Sequence, residues 1–259
     1  MKKQWQLLLT AIMFYTRIPV TVSAPYSPEM LNKATRYLPL IGWITGSFML
    51  AVLYAFGDIA PRLVAVLLSI VISIWVTGAF HEDGFADMCD GFGGGWTKEK
   101  ILEIMKDSRI GTYGMLGLLL LMTMKYICLI PLTLNKVMLA VIIAQPLSRF
   151  VAVSIIYTHQ YVRENEDSKA KPVSKGILLP DLILAGVFGL LPLLAVITLT
   201  GNYALLLILP ALFLVRWYMA RLMSKWIGGY TGDCLGAVQQ VSETVIYLCF
   251  CILAWKYTS

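Results

Sequence analysis

The run from His81 to Gly114, HEDGFADMCDGFGGGWTKEKILEIMKDSRIGTYG, decides how the rest of the chain is read. It lies between apolar segments, yet it places three aspartates within eight residues, then a glycine run, then Lys106-Asp107-Ser108-Arg109. On a helix, Asp83, Asp87 and Asp90 stand at i, i+4 and i+7, rotations of about 0°, 40° and −20° along about 10 Å of axis. The spacing therefore predicts one acidic face. Three carboxylates on one face repel one another unless a cation sits among them. Oxygen ligands suit a hard divalent ion, Mg²⁺ first, and Mg²⁺ held by carboxylates usually shares its shell with substrate phosphates. A solvated acidic helix end is the plainer reading. Against it, Gly84, Ala86 and Gly91 lie between the acids, and small residues there let backbone or ligand approach closely.

Composition bounds what surrounds this run. The 259 residues are 58% hydrophobic and only 14% charged, with a mean hydropathy of +0.74. Soluble domains carry about 25% charged residues. The expected fold is an all-α integral membrane protein: a polytopic bundle of six to seven transmembrane helices plus an N-terminal membrane or interfacial helix. Residues 1–259 form a single membrane-embedded domain in this reading. The net charge of +6 is assigned to loops that meet anionic membrane lipid, not to nucleic acid. The five cysteines show no C-x-x-C or Cys/His spacing that would indicate zinc. Met1-Lys2-Lys3 followed by an apolar run resembles a signal peptide, but Arg17 inside the run and Pro19 after it favour a membrane or interfacial helix over a cleaved leader.

Apolar stretches of suitable length predict spans at Leu38–Phe56, Arg62–Phe80, Tyr113–Leu134, Lys136–Tyr157 and Asp181–Leu199. A sixth begins at Tyr203–Val215, and the last is Thr244–Tyr257. Thr21–Arg36, His159–Pro180 and Arg216–Glu243 read as polar loops. Lys and Arg cluster before the first span, after the second (Lys98, Lys100, Lys106, Arg109), after the fourth (Arg163, Lys169, Lys171, Lys175) and after the sixth (Arg216, Arg221, Lys225), while the intervening turns hold only Arg62 and Lys136. This alternation predicts a multi-pass protein whose acidic and basic loops all face the cytoplasm.

Two further groups carry chemistry. Lys106 to Arg109, with Ser108 between, suits a phosphate whose metal rests on the aspartates, because Arg clamps in bidentate fashion and Lys acts as a point charge. Gly228 to Gly236 surrounds Asp233 with glycines. Asp233 is either a further ligand or acceptor for a sugar hydroxyl, or a helix N-cap. Arg149, in mid-span near Gln145 and Ser148, either contacts a ligand phosphate or pairs with a buried acid. His81, directly before the acids, is either a base or a polar helix end.

The chain resembles the adenosylcobinamide-GDP ribazoletransferase, or cobalamin synthase, family. The resemblance is carried by Phe14-Tyr15-Thr16-Arg17-Ile18-Pro19, by His81 to Gly91, by Leu102 to Gly114 and by Gly229 to Ala237. Glu82 stands where the family leads one to expect an apolar residue, and adds a fourth acid to the metal group. The resemblance implies joining of α-ribazole, or its 5′-phosphate, to adenosylcobinamide-GDP with release of GMP, at the bacterial inner membrane and with Mg²⁺. It implies that Asp83, Asp87 and Asp90 serve the metal, and Glu82, outside the family's pattern, stands beside them as a further candidate ligand. Lys106, Ser108, Arg109, Arg17, Arg149 and Gly232 would contact substrate, and Asp107, Asp233 or His81 would handle the proton. Two other readings compete: a CDP-alcohol phosphotransferase-like lipid enzyme, whose acid spacing is incomplete here, and a cation-coupled transporter. Homo-oligomerisation is left open.

Overall fold

A computed structural model describes residues 2–21, 27–163 and 176–256. Those residues form eleven α-helices and no strand beyond an isolated parallel bridge between Tyr161 and Tyr230. Helix α1 (Lys2–Tyr15) packs on α2 (Pro28–Ala34), and a 3-10 turn leads into α3 (Leu38–Phe56). The stretch expected as polar loop before the first span thus contains a helix. Ser27 starts it by accepting a hydrogen bond from Met30 N–H, with Pro28 at its first position.

Helix α4 (Arg62–Thr77) and helix α5 (Phe80–Gly94) meet at an 88° bend. Gly78 and Ala79 make the bend with φ of 65° and 59°. Ala79 in the left-handed region costs of order 1 kcal/mol or more, and such strain concentrates at functional sites. The predicted span to Phe80 therefore stops at Thr77, and the acidic run leaves its axis as a separate helix. A short helix, α6 (Lys98–Ile104), is capped by Thr97, which accepts from Lys100 N–H. Beyond it come α7 (Thr112–Leu129), α8 (Leu134–Thr158), α9 (Leu179–Thr200), α10 (Ile208–Ile227) and α11 (Gly232–Lys256).

Six helices are long and apolar enough to cross a bilayer, and the bent α4–α5 pair makes a seventh if taken as one span. Their outer faces are apolar and exposed. Leu63, Leu67, Val71 and Trp75 on α4, and Leu116, Leu119, Leu120 and Ile127 on α7, all face outward, as lipid contact demands. The last span begins at Gly232, twelve residues before the expected Thr244. Arg216–Glu243 is almost wholly helical, not loop. Its polar residues Gln239, Gln240 and Glu243 point into the bundle and find partners there. Of the charged stretch His159–Pro180, residues 164–175 lie outside the described residues.

Candidate active site at one end of the bundle

Helix α5 is poor in helix propensity: Gly84, Gly91, Gly93 and Gly94 each cost about 1 kcal/mol relative to alanine. Close approach to its neighbours offsets that cost. A Cβ on Gly84 would meet Asp233 Cα at 2.8 Å and Asp233 O at 3.0 Å, and a Cβ on Gly236 would meet His81 O at 3.0 Å. The α5 and α11 backbones thus touch where Asp233 enters α11. On the α7 side, Gly117 lies under Cys89, and Gly114 leaves no room for a side chain beside the Asp90 carboxylate.

The three aspartates of α5 do not share one task. Asp90 accepts Gly111 N–H at 2.7 Å and Gly114 N–H at 2.8 Å. These are orphan donors at the N-terminus of α7, where a carboxylate also meets the positive end of the helix dipole. Asp90 is 8% exposed and ties α5 to α7. Asp83 is exposed and Asp87 half-buried. Asp87 feels Asp233 most strongly among its charged neighbours, then Asp83, with Asp90 last, and Arg163 is the opposing cation. The acidic group of the tertiary structure is therefore Asp83, Asp87 and Asp233. Among the described residues, no three His, Cys, Asp or Glu side chains converge tightly enough to hold a cation by themselves.

Asp233 does not cap α11. Thr231 does, accepting Cys234 N–H at 3.3 Å. This leaves the Asp233 carboxylate to receive Arg163 Nη2 at 2.6 Å. Gly232 is the first residue of α11 beside it. The basic segment lies next to this group. Lys100, Lys106 and Arg109 line an open cleft of about 840 Å³ together with Asp90, Glu103 and Asp107, and Lys100 and Arg109 pair with Glu103 and Asp107. Ser108 is exposed on the same segment. Asp107 accepts from Arg109 Nε and Nη2. These charge-assisted bonds hold its carboxyl at about 2, below the usual carboxylate range, which leaves Asp107 a poor proton acceptor.

Three expected site residues face elsewhere. Glu82 is 7% exposed and accepts Gln240 Nε2 at 2.8 Å, inside the bundle and off the acidic face. One residue of helix turns the chain by about 100°, so the neighbour of Asp83 points into the core. His81 is 3% exposed, and its Nε2 is enclosed without a partner. Arg149 is 2% exposed and donates to Gln145 O and Oε1, both at 2.8 Å. No acid pairs with it directly among the described residues, and its Nε is enclosed without an acceptor. Glu82 and Arg149 belong to a buried polar network in which Lys125 Nζ meets Gln240 Oε1 at 2.6 Å and Glu243 at 3.1 Å. Glu243 also receives Gln145, Gln239 and Tyr247. Arg17 is exposed at the α4–α5 bend. Its N–H donates to Val76 O at 2.8 Å, and its side chain crosses Gly78.

The sequence reading missed Lys125, Glu243 and Arg163. Lys125 and Glu243 were visible as charges within or beside apolar runs, which is itself a signal. Arg163 was counted only as a topology charge, and nothing in its local sequence marks it as the partner of Asp233.

Fold and site together define a polytopic all-α membrane protein with a carboxylate group and a cleft of mixed charge at one end of its bundle. A family model described as cobalamin-5-phosphate synthase matches residues 7–251. Relatives named adenosylcobinamide-GDP ribazoletransferase are similar over nearly the full length. Those of Shewanella amazonensis and Ralstonia pickettii are 45% and 42% identical, each match covering 98% of both chains. That of Leptospira interrogans is 39% identical over 96% of both. The chain belongs to the cobalamin-5-phosphate synthase family of transferases. The lipid-enzyme and transporter readings fall with that membership. No solved structure matches.

Proposed function

We propose that the chain joins α-ribazole, or its 5′-phosphate, to adenosylcobinamide-GDP and releases GMP, in the inner membrane with its site toward the cytoplasm. The Asp83–Asp87–Asp233 group carries this reading, because Arg163 joins Asp233 to Met105 O and so to the segment whose Lys106 and Arg109 line the open cleft. A nucleoside diphosphate needs both halves: cations for its oxygens and carboxylates for the metal that accompanies it. The relatives' names support the same substrates. The orientation rests on the Lys and Arg alternation. The termini of α4, α7, α8, α10 and α11 that carry site residues or basic clusters follow one another as ends of one face.

The donor set fits Mg²⁺ shared with a diphosphate better than it fits an all-protein cage. Mg²⁺ characteristically uses one or two carboxylates plus water and phosphate, and Asp83 and Asp87 offer two carboxylates. Asp83 and Asp87 would hold the ion with Asp233 beside them, and the ion would neutralise charge as GMP departs. Lys106 and Arg109 bind non-bridging oxygens of the diphosphate. The ribose hydroxyl oxygen of α-ribazole forms the new bond to the phosphorus on the cobinamide side. The P–O bond to GMP breaks, and the hydroxyl proton passes to a carboxylate. Asp233 is the better placed for that proton, because it lies beside Asp87, where the ion would sit, whereas Asp107 is on the basic segment with both carboxylate oxygens held by Arg109.

The test is direct. Purified protein in detergent receives adenosylcobinamide-GDP and α-ribazole, and the joined corrinoid and GMP are measured by mass. We expect product with Mg²⁺ and none after chelation. Equal product with a chelator present would remove the metal from the scheme, and absence of product with Mg²⁺ would remove the reaction.

A further inference from the structure

We propose that Arg163 is a phosphate-binding residue of this site, gripping the substrate diphosphate between the carboxylate group and the cleft beside Lys106. The inference rests on the reaction proposed above and adds a residue that no motif contains. Its placement is built in. Val162 N–H donates to Tyr230 O at 3.0 Å and Tyr230 N–H donates to Gln160 O at 2.9 Å, so the chain leaving α8 is stitched to a residue two positions before α11. Gly229 leaves no room for a side chain against Gln160 O, and the Tyr161 and Tyr230 rings meet edge-on at 5.7 Å. Arg163 is the next residue beyond this clamp.

Its guanidinium then joins the two halves of the site. Nη2 donates to Asp233 Oδ2 at 2.6 Å and to Met105 O at 3.0 Å. Asp233 belongs to the carboxylate group, and Met105 directly precedes Lys106, which lines the cleft. The side chain is 8% exposed, yet Nε–H is enclosed without an acceptor. A purely structural ion pair would be expected to use its planar fork fully against a carboxylate, because bidentate pairing is what arginine offers over lysine. Here Asp233 receives Nη2 alone, and Nε is left over as a buried donor beside that pair. Buried donors without partners call for an explanation. A phosphate oxygen supplies one, since the fork that meets carboxylates also meets phosphates. The same contact holds Asp233 in place, so binding of the diphosphate and orientation of that carboxylate are coupled through one side chain.

Arg163→Lys and Arg163→Gln separate this from a scaffold role. Lysine keeps a charge for Asp233 but loses the fork. In the full-length protein in detergent we expect Arg163→Lys to raise KM for adenosylcobinamide-GDP by about tenfold or more, with KM for α-ribazole unchanged and the melting temperature close to wild type. GDP with Mg²⁺ should raise the melting temperature of wild type and fail to do so for Arg163→Gln. An unchanged KM for adenosylcobinamide-GDP in both variants, or equal protection of wild type and Arg163→Gln by GDP, would overturn the assignment. If wild type forms no joined product, the reaction reading fails alone, and the GDP protection measurement still decides Arg163.

Discussion

Asp87 and Asp90 stand three residues apart on one helix and are identical in side chain, but their partners are opposite. Asp90 is satisfied by two backbone N–H groups, whereas Asp87 faces the carboxylates of Asp83 and Asp233. Neutralising each should therefore act differently. Asp90→Asn replaces one acceptor by a donor facing an N–H, and we expect it to lower stability by about 1–2 kcal/mol. Asp87→Asn removes like-charge repulsion. We expect it to leave the melting temperature unchanged or raised while turnover falls by about a hundredfold or more, the scale for losing a group that stabilises transferring charge. Unfolding and turnover measured on the two variants together check this. Similar effects from both would mean that the aspartates share one role.

At the scale of elements, the α5–α11 crossing sets the site. Gly84 lies inside a helix, where alanine is normally favoured by about 1 kcal/mol. Its missing Cβ, however, is what lets Asp233 Cα and O come within about 3 Å of the position a Cβ would take. Those are backbone atoms and cannot rotate aside. Gly84→Ala should therefore destabilise, by about 1–3 kcal/mol for overpacking, and should reduce turnover by moving Asp233 away from Asp87. A more stable Gly84→Ala variant in thermal unfolding would show that the helices are not in close contact. The 88° bend at Gly78-Ala79 works with this crossing. It turns α5 out of the α4 axis so that one face of α5 meets α11 and another meets α7.

Across the whole molecule, the site at one end depends on a buried polar network behind it. Lys125, Gln240, Glu82, Glu243 and Gln145 link α5, α7, α8 and α11. The Lys125–Glu243 pair is at most 5% exposed on either side chain. Removing one partner of such a pair leaves a buried charge and costs about 3–5 kcal/mol, whereas removing both costs far less. Lys125→Met should accordingly lower the unfolding midpoint in detergent markedly, and adding Glu243→Gln should recover part of the loss. A Lys125→Met protein as stable as wild type would mean that the network does not fasten these helices.

Local composition and period were enough for the class of fold, the number of spans, the helix over the acidic run and the basic segment after it. Each of these depends on residues near one another in the chain: apolar runs of bilayer length, a stripe at i, i+4 and i+7, and Lys and Arg in alternate loops. The same local view started the last span too late. Gln239, Gln240 and Glu243 look like loop residues until Ser148, Gln145 and Lys125 are brought against them from other helices. It also grouped the acids by their spacing on one helix. Only the tertiary structure could assign Asp90 to the end of α7, turn Glu82 and His81 into the core, and bring Asp233 and Arg163 to Asp87 from segments some seventy residues apart and more. A carboxylate's role is set by what neutralises or donates to it, and in this bundle those partners come from other helices.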